Sequence, residues 1–311
     1  MNKLKGAKYF TKLDVQWGYN NVRIREGDEW KAAFLMNRGL FEPTVMFFGL
    51  TNSPATFQNL MNDILHDLVM AGKVLVYLDD IPIFTKTLEE HRQIVARVLQ
   101  VLCQHRLYLK LEKCEFERTE IEYLGLIISE GEVRMDPVKV QGILQSPTPT
   151  CKRDLQSFLG FVNFYRCFIR GFGNIAKPLN ALTGNAPWSW SRDQQQAFDT
   201  LKTAVTSAPI LAIPTDSDPY CVEADSSGHT LGAILSQCQT GTWCPIAFLS
   251  KSLTPTERNY EIYGRELLTI MMALSEWRHH LMGAPSSFEI WTNHQNLAYF
   301  RKPQKLNRRQ A

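Results

Sequence analysis

Two aspartates stand side by side in KVLVYLDDIPIF, residues 73–84, where an otherwise apolar run surrounds Asp79 and Asp80. Adjacent negative charges repel, and an unpaired charge is costly to bury. Such a pair either sits on a solvent-facing turn or is neutralised by something positive. A third carboxylate, Asp14, closes the strand-like segment YFTKLD. If a sheet brings Asp14 to the same end as Asp79, the oxygen-rich cluster suits Mg²⁺. A pair of such ions can activate a 3′-hydroxyl, orient a triphosphate and stabilise the leaving pyrophosphate. The bland alternative is that Asp79 and Asp80 are ordinary turn residues, since Asp is common in turns. Taken alone, the tetrapeptide YLDD favours the turn.

The elements that would position these carboxylates follow from periodicity. YFTKLDVQ reads as a strand. A hairpin of VRIR and KAAFLM, turning at Glu26–Glu29, is expected next. NSPATFQNLMNDILHDL predicts a helix, capped by Asn52 or Ser53, with Pro54 in its first turn and Gly72 just past its end. Phe57, Leu60, Met61, Ile64, Leu65 and Leu68 recur at three- and four-residue steps and make one buried face. The aspartates split KVLVYLDDIPIF into two short strands around a turn at Leu78–Asp80, and Pro82 pushes the second toward an edge or bulge. Thr87 and Glu90 form a capping box for a helix to about His105. IEYLGLIIS reads as one further strand. This alternation over the first ~135 residues is that of an α+β sheet domain.

Beyond Asp136 the pattern is helical, with breaks at SPTPT and GFGN, then a helix over DQQQAFDTLKTAV. YCVEAD, LGAILSQ and CPIAFLS predict three strands, followed by a long helix from about Asn259 to Leu281 and a fourth strand, FEIWT. The whole is of the α/β class.

Composition excludes more than it assigns. At 311 residues with net charge +3, the chain is large enough for two domains and only weakly basic. The run RKPQKLNRR, Arg301 to Arg309, reads as a solvated tail first and a phosphate contact second. Seven cysteines without a C-x-x-C pair argue against a disulfide framework or structural zinc and suggest reduced core residues. No stretch is apolar enough to span a bilayer, and MNKLKGAKYF lacks the apolar core of a signal peptide. An intracellular place, cytoplasmic (particle-associated) or nuclear, is the expectation.

The ordered blocks KYFTKLDVQWGYNNVRI, DEWKAAF, GLTNSPATFQNLMN, YLDDIPIF, KCEFERTEIEYLG and SFLGFVNFYRCFI carry a resemblance. They resemble the reverse transcriptase and ribonuclease H region of gypsy-class long-terminal-repeat retrotransposon polyproteins, over essentially the whole chain. The resemblance implies a polymerase palm over 1–135, a helical thumb and connection over 136–216, and an RNase H-like domain over 217–311. It implies RNA-directed DNA synthesis on an RNA template and DNA primer, with dNTPs as substrates and Mg²⁺, or Mn²⁺, as cofactor. Asp14, Asp79 and Asp80 match the palm carboxylates, Asp14 and Asp79 as principal metal ligands and Asp80 tuning the charge. Tyr19 matches the aromatic residue that excludes a 2′-hydroxyl, against the plainer reading of a core tyrosine. Phe48 and Gly49 fall beside the nucleotide pocket, Gly49 where template backbone would approach closely. Tyr123 to Gly125 resemble the segment that holds the primer end. Arg166 and Arg170, in the thumb-like block, are candidates for phosphate contact.

In the last part, Asp225 and Glu266 match two RNase H carboxylates, which would hold metal and cut the RNA strand of an RNA–DNA hybrid. The third should stand in a T-D-H block, but this sequence reads WTNHQNL, with Asn293 at that position. A neutral amide binds a hard cation more weakly than a carboxylate. The fourth carboxylate would fall beyond residue 311, and basic residues of a fingers subdomain would precede the first block. RNase H activity is therefore not expected of this chain. The alternative to a polymerase is a catalytically incomplete retroelement remnant that at most binds nucleic acid.

Overall fold

The computed structural model describes residues 4–284 and 286–292. Asn293 and the basic run from Arg301 to Arg309 lie outside the described residues. Two compact units divide the backbone: Gly6–Gly131, and Glu132 onward together with the residues before Gly6.

The first unit is built on strand β1 (Tyr9–Asp14). It has two short hairpin strands, β2 (Phe34–Met36) and β3 (Gly39–Phe41). Helices α1 (Ser53–Ile64) and α2 (His66–Met70) follow, then β4 (Asp80–Thr85) and α3 (Leu88–Gln104). Strands β5 (Glu115–Arg118), β6 (Glu120–Tyr123) and β7 (Leu126–Ser129) complete it. β1 is central in a three-stranded sheet of order β4-β1-β5, antiparallel to both neighbours. Leu13 on β1, and Ile81 and Ile83 on β4, are buried against Phe57, Met61 and Leu65 of the first helical pair and Val98 and Leu102 of α3. Each such side chain contributes about 1.5–3 kcal/mol on full burial, so this core anchors the strand ends. Pro54 stands at the start of α1, where Asn52 holds the cap position without a side-chain hydrogen bond and the Ser53 hydroxyl donates to the Phe47 carbonyl. At the head of α3 the Thr87 hydroxyl accepts from the Glu90 N–H, one half of the expected capping box, while the Glu90 carboxylate pairs with Lys73 at 2.7 Å.

Several expectations need correction. VRIR does not pair with KAAFLM. Glu29 accepts from the Gly27 N–H at 2.7 Å and bonds Arg23 at 3.1 Å, winding the chain into a 3-10 turn at Glu29–Ala32. The reversal comes later, at Asn37 and Arg38, where β2 pairs with β3 and Gly39 takes φ 125°. IEYLGLIIS is a hairpin rather than one strand. Leu124 and Gly125 both adopt positive φ, 51° and 75°, the geometry of a tight two-residue turn between β6 and β7. The cysteines are all free, yet Cys103 and Cys151 are exposed rather than in the core, while Cys221 is buried.

In the second unit, β8 (Glu132–Met135) pairs with β9 (Leu211–Ala212) around helices α4 (Pro137–Gln145), α5 (Lys152–Phe164), α6 (Phe172–Thr183) and α7 (Arg192–Thr206). The Lys202 ammonium on α7 donates to the carbonyls of Leu144 and Ser146, satisfying the end of α4. A four-stranded sheet follows, of β10 (Tyr220–Ser226), β11 (Thr230–Gln239), β12 (Thr242–Ser252) and β13 (Glu289–Thr292). Its order is β12-β11-β10-β13, and only the β10–β13 pair is parallel. α8 (Pro255–Arg258), α9 (Ile262–Glu276) and α10 (Arg278–Leu281) connect β12 to β13. The long predicted helix is thus broken, with Trp277, 4% exposed, packed into the core at the break. No helix among the described residues is long and apolar enough to cross a membrane.

Candidate active site

The paired register of β1 and β4 sets Asp14 directly opposite Asp80. Asp79 precedes β4 in a two-residue turn. Tyr77 and Asp80 exchange both backbone hydrogen bonds at 3.0 Å, leaving Leu78 and Asp79 at the apex. Leu78 takes φ 53°, a left-handed conformation that costs a side chain with a Cβ about 1–2 kcal/mol. The Val15 N–H donates to the Asp79 carbonyl at 2.9 Å, tying the turn to the end of β1. Asp14, Asp79 and Asp80 are thereby gathered at one end of the sheet.

Their charges are answered in different ways. Lys113 reaches the Asp14 Oδ2 at 3.2 Å, and Lys12 lies 3.9 Å from the Asp80 Oδ1. The Asp79 Oδ1 is buried and has no hydrogen-bond partner. Burial, reinforced by the carboxylates of Asp14 and Asp80, pushes the Asp79 carboxyl above the usual range, against the opposing pull of Lys113. Asp80 is likewise raised by burial, with Lys12 opposing. Among the described residues no group of three or more His, Cys, Asp or Glu is spaced to hold a metal ion by itself. Mg²⁺, however, is commonly held by one or two carboxylates, with water and substrate phosphate completing its shell. The orphaned Asp79 oxygen beside Asp14 fits that donor set.

Around the carboxylates, Tyr19 is buried with its ring edge-on to Phe57 at 5.8 Å and to Phe48 at 4.8 Å. Burial and the Asp79 charge raise its phenol. Tyr19 is therefore a core residue and a neighbour of the acidic cluster at once. Phe48 is 73% exposed, an apolar ring open to an incoming surface. Gly49 adopts φ 110°, so glycine is required there by the backbone; a Cβ would meet nothing within 4 Å in this chain. Tyr123, beside the β6–β7 turn, has its phenol pushed up to about 12 by burial and by the Asp80 and Tyr77 charges.

The second candidate centre is arranged otherwise. Glu266 on α9 is buried, accepts from the Ser226 hydroxyl at 2.7 Å, and bonds the Thr292 hydroxyl at 3.3 Å. Side chains alternate along a strand, so Asp225, next to Ser226, turns to the other face. There it is exposed and lines a cavity of about 400 Å³ with Arg170, Asn174 and Glu223. Glu266 and Asp225 thus meet different neighbours, the one hydroxyls and the other an open cavity. Arg166 and Arg170 are both exposed.

Comparison with known proteins follows the same division. Residues 1–128 match the reverse transcriptase (RNA-dependent DNA polymerase) family, and residues 190–290 match the RNase H-like domain found in reverse transcriptase. This chain carries a reverse transcriptase domain joined to an RNase H-like domain. It is 37% identical over 309 residues to the retrovirus-related Pol polyprotein from transposon opus of Drosophila melanogaster, covering 95% of this chain and 30% of that one. It is 35% identical over 297 residues to the transposon Tf2-3 polyprotein of Schizosaccharomyces pombe, again over 95% of this chain but 22% of the relative. The chain thus spans less than a third of these curated relatives. Among solved structures it resembles the foamy viral protease-reverse transcriptase in complex with RNA/DNA hybrid, at TM-score 0.77 and 26% identity, over 97% of this chain and 41% of that one. The same viral protein in complex with double-stranded DNA gives TM-score 0.80 at 26% identity, over 96% and 62%.

Within the reverse transcriptase domain, several residues around the carboxylates escaped sequence reasoning. Lys113 stands in the KCEF block and Lys12 two residues before Asp14, but their partners are set by folding. Gly18 is the clearest omission: a Cβ there would lie 2.2 Å from the Asp79 Oδ1 and 2.8 Å from the Phe57 ring. A glycine directly before Tyr19 was the available signal, legible only as a place of close approach.

Proposed function

We propose that this chain is the polymerising segment of a retrotransposon polyprotein, extending a DNA primer on an RNA template by addition of dNTPs. The carrying observation is the buried, unpartnered Asp79 Oδ1 gathered with Asp14 and Asp80 by the β1–β4 register. Asp14 and Asp79 would hold Mg²⁺ or Mn²⁺, which when bound activates the primer 3′-hydroxyl and neutralises the triphosphate. Asp80, tied to Lys12, sets the local charge. Lys113 holds Asp14 in place until a divalent cation competes for the same oxygen. Tyr19, braced by Phe57, limits room at the sugar 2′ position, and exposed Phe48 offers an apolar surface beside it. Template, primer and hybrid would be held mainly through backbone phosphate, so affinity should fall steeply with salt.

Primer extension with Mg²⁺ or Mn²⁺, compared with Asp79→Asn, tests the assignment. Extension by the wild-type chain that vanishes in the variant supports it. A second reading, a remnant that binds primer–template without extending it, is favoured by the two lysines that already answer Asp14 and Asp80. It would be shown by salt-sensitive binding with no extension in either metal. For the RNase H-like domain we propose no hybrid cleavage, since Glu266 is engaged by hydroxyls and Asp225 faces elsewhere. Asn293→Asp alone should leave an RNA–DNA hybrid uncut; cleavage by that variant would overturn this.

A further inference from the structure

The apex of the Tyr77–Asp80 turn poses a problem of backbone chemistry. Leu78 is a residue with a Cβ held at φ 53°, and at the apex its N–H has no strand neighbour to receive it. The partner comes from α1. The Leu78 N–H donates to the Gln58 Oε1 at 2.8 Å, and the Gln58 Nε2 donates to the Val76 carbonyl at 3.1 Å. One side-chain amide thus bonds both an N–H and a C=O of the same backbone segment, as a neighbouring peptide in a sheet would. The remaining amide hydrogen goes to the Asn62 Oδ1 at 3.0 Å, one helical turn further on. With its oxygen and both hydrogens engaged, the amide of Gln58 has a single orientation that satisfies the set. Met61 of the same helix is fully buried, so the platform is rigid.

We infer that Gln58 is a positioning residue: its amide holds Leu78, at the apex of the turn, in the left-handed conformation and so sets where the Asp79 carboxylate stands. The inference rests on the polymerase reading for its catalytic consequence, but its structural content is independent of it. No other side chain type of this length does the same. Leu or Met supplies no bond, Glu supplies only the acceptor, and Asn is one methylene short.

Hydrogen exchange at the Leu78 amide of the full chain tests the structural content. Gln58→Met, close in shape and half-buried on a helix, should exchange roughly tenfold faster at Leu78 than wild type. Gln58→Glu, which keeps the acceptor, should restore most of the protection. Primer extension tests the consequence: Gln58→Met should lose roughly 10- to 100-fold in kcat with little change in KM for dNTP, a split that general loosening of the fold would not give. Unchanged exchange in Gln58→Met overturns the inference, as does wild-type kcat in a variant whose Leu78 amide has lost protection. If wild type and Asp79→Asn both fail to extend while the exchange pattern holds, the polymerase reading falls and the role of Gln58 in setting Asp79 stands.

Discussion

In the first unit the carboxylates of Asp14 and Asp80 meet across paired strands and are answered by Lys113 and Lys12, while an Asp79 oxygen stays buried and unanswered. In the second unit the buried carboxylate of Glu266 is answered by the hydroxyls of Ser226 and Thr292. The first centre keeps uncompensated negative charge, which makes it hungry for cations. The second is a satisfied structural network. A buried carboxylate held by hydroxyls is satisfied, whereas an unpaired one is costly, so only the first leaves something for a ligand to relieve. Two sets of acidic residues that look alike along the chain are therefore different in kind.

The sharpest break in the contrast is Asp79→Asn. Primer extension should fall on the order of 10³-fold or more, whereas Glu266→Gln should leave extension unchanged. The sign on stability should be opposite to that on activity. Because the Asp79 carboxyl is raised in the folded protein, burial and then repulsion from Asp14 and Asp80 disfavour its ionised form, and protonation relieves them. Asp79→Asn should accordingly raise Tm by a few degrees (about 2–4 °C) and abolish any further rise on adding Mn²⁺. A variant melting below wild type would contradict the charge-strain account.

Gly18→Ala sharpens the same centre sterically. The added Cβ would collide with the Asp79 carboxylate and the Phe57 ring, costing about 1–3 kcal/mol. Denaturant unfolding should show the loss, and extension should fall with it. An Ala variant as stable as wild type would mean the turn moves freely, against the constraint described for Leu78.

On the other side of the comparison, Glu266→Leu removes the acceptor of the Ser226 and Thr292 hydroxyls and should cost about 1–3 kcal/mol. Glu266→Gln keeps an acceptor and should cost less than about 1 kcal/mol. Equal losses from both variants would show that the charge of Glu266 matters, and the second centre would then resemble the first.

The smallest effect concerns His91, buried under β1 and β4. The Glu117 N–H donates to the Thr11 hydroxyl oxygen at 3.1 Å, so the Thr11 O–H is free to donate to the His91 Nε2 at 2.8 Å. The His91 Nδ1–H then donates to the Thr85 hydroxyl at 3.0 Å, and Thr85 donates to the Thr87 carbonyl at 3.0 Å. This relay requires a neutral ring. Burial lowers the His91 value below its ordinary 6.5, with Glu117 and Glu90 opposing. The unfolded chain then binds the proton first, so stability is full above pH ~6.5 and declines as pH falls toward the lowered folded value. His91→Gln should flatten that part of the pH–Tm curve; an unchanged slope would remove His91 as its source.

Much of the first centre was readable before folding was considered. Asp79 and Asp80 lie within a β-forming run, and Asp14 closes a strand whose alternation is plain. The α1 and α3 faces were legible from spacing, and the head of α3 from Thr87. What was misread were local reversals: a Leu-Gly turn inside IEYLGLIIS, and a Glu29 side chain that winds its own loop. There the outcome hangs on one or two dihedral angles that a hydrophobic pattern does not record. Gln58 was beyond reach, since its partners Val76 and Leu78 are 18 and 20 residues away. So was the divergence of Asp225 from Glu266, which depends on which face of β10 each neighbour takes.

By itself the sequence determined the carboxylates, the elements bearing them and the order of those elements, because strand and helix periodicity is a local property of the chain. Only the tertiary structure decided which carboxylate is paired, which is left unpaired, and which glycine must be a glycine. Those outcomes depend on contacts between segments far apart in the chain, which no local pattern records.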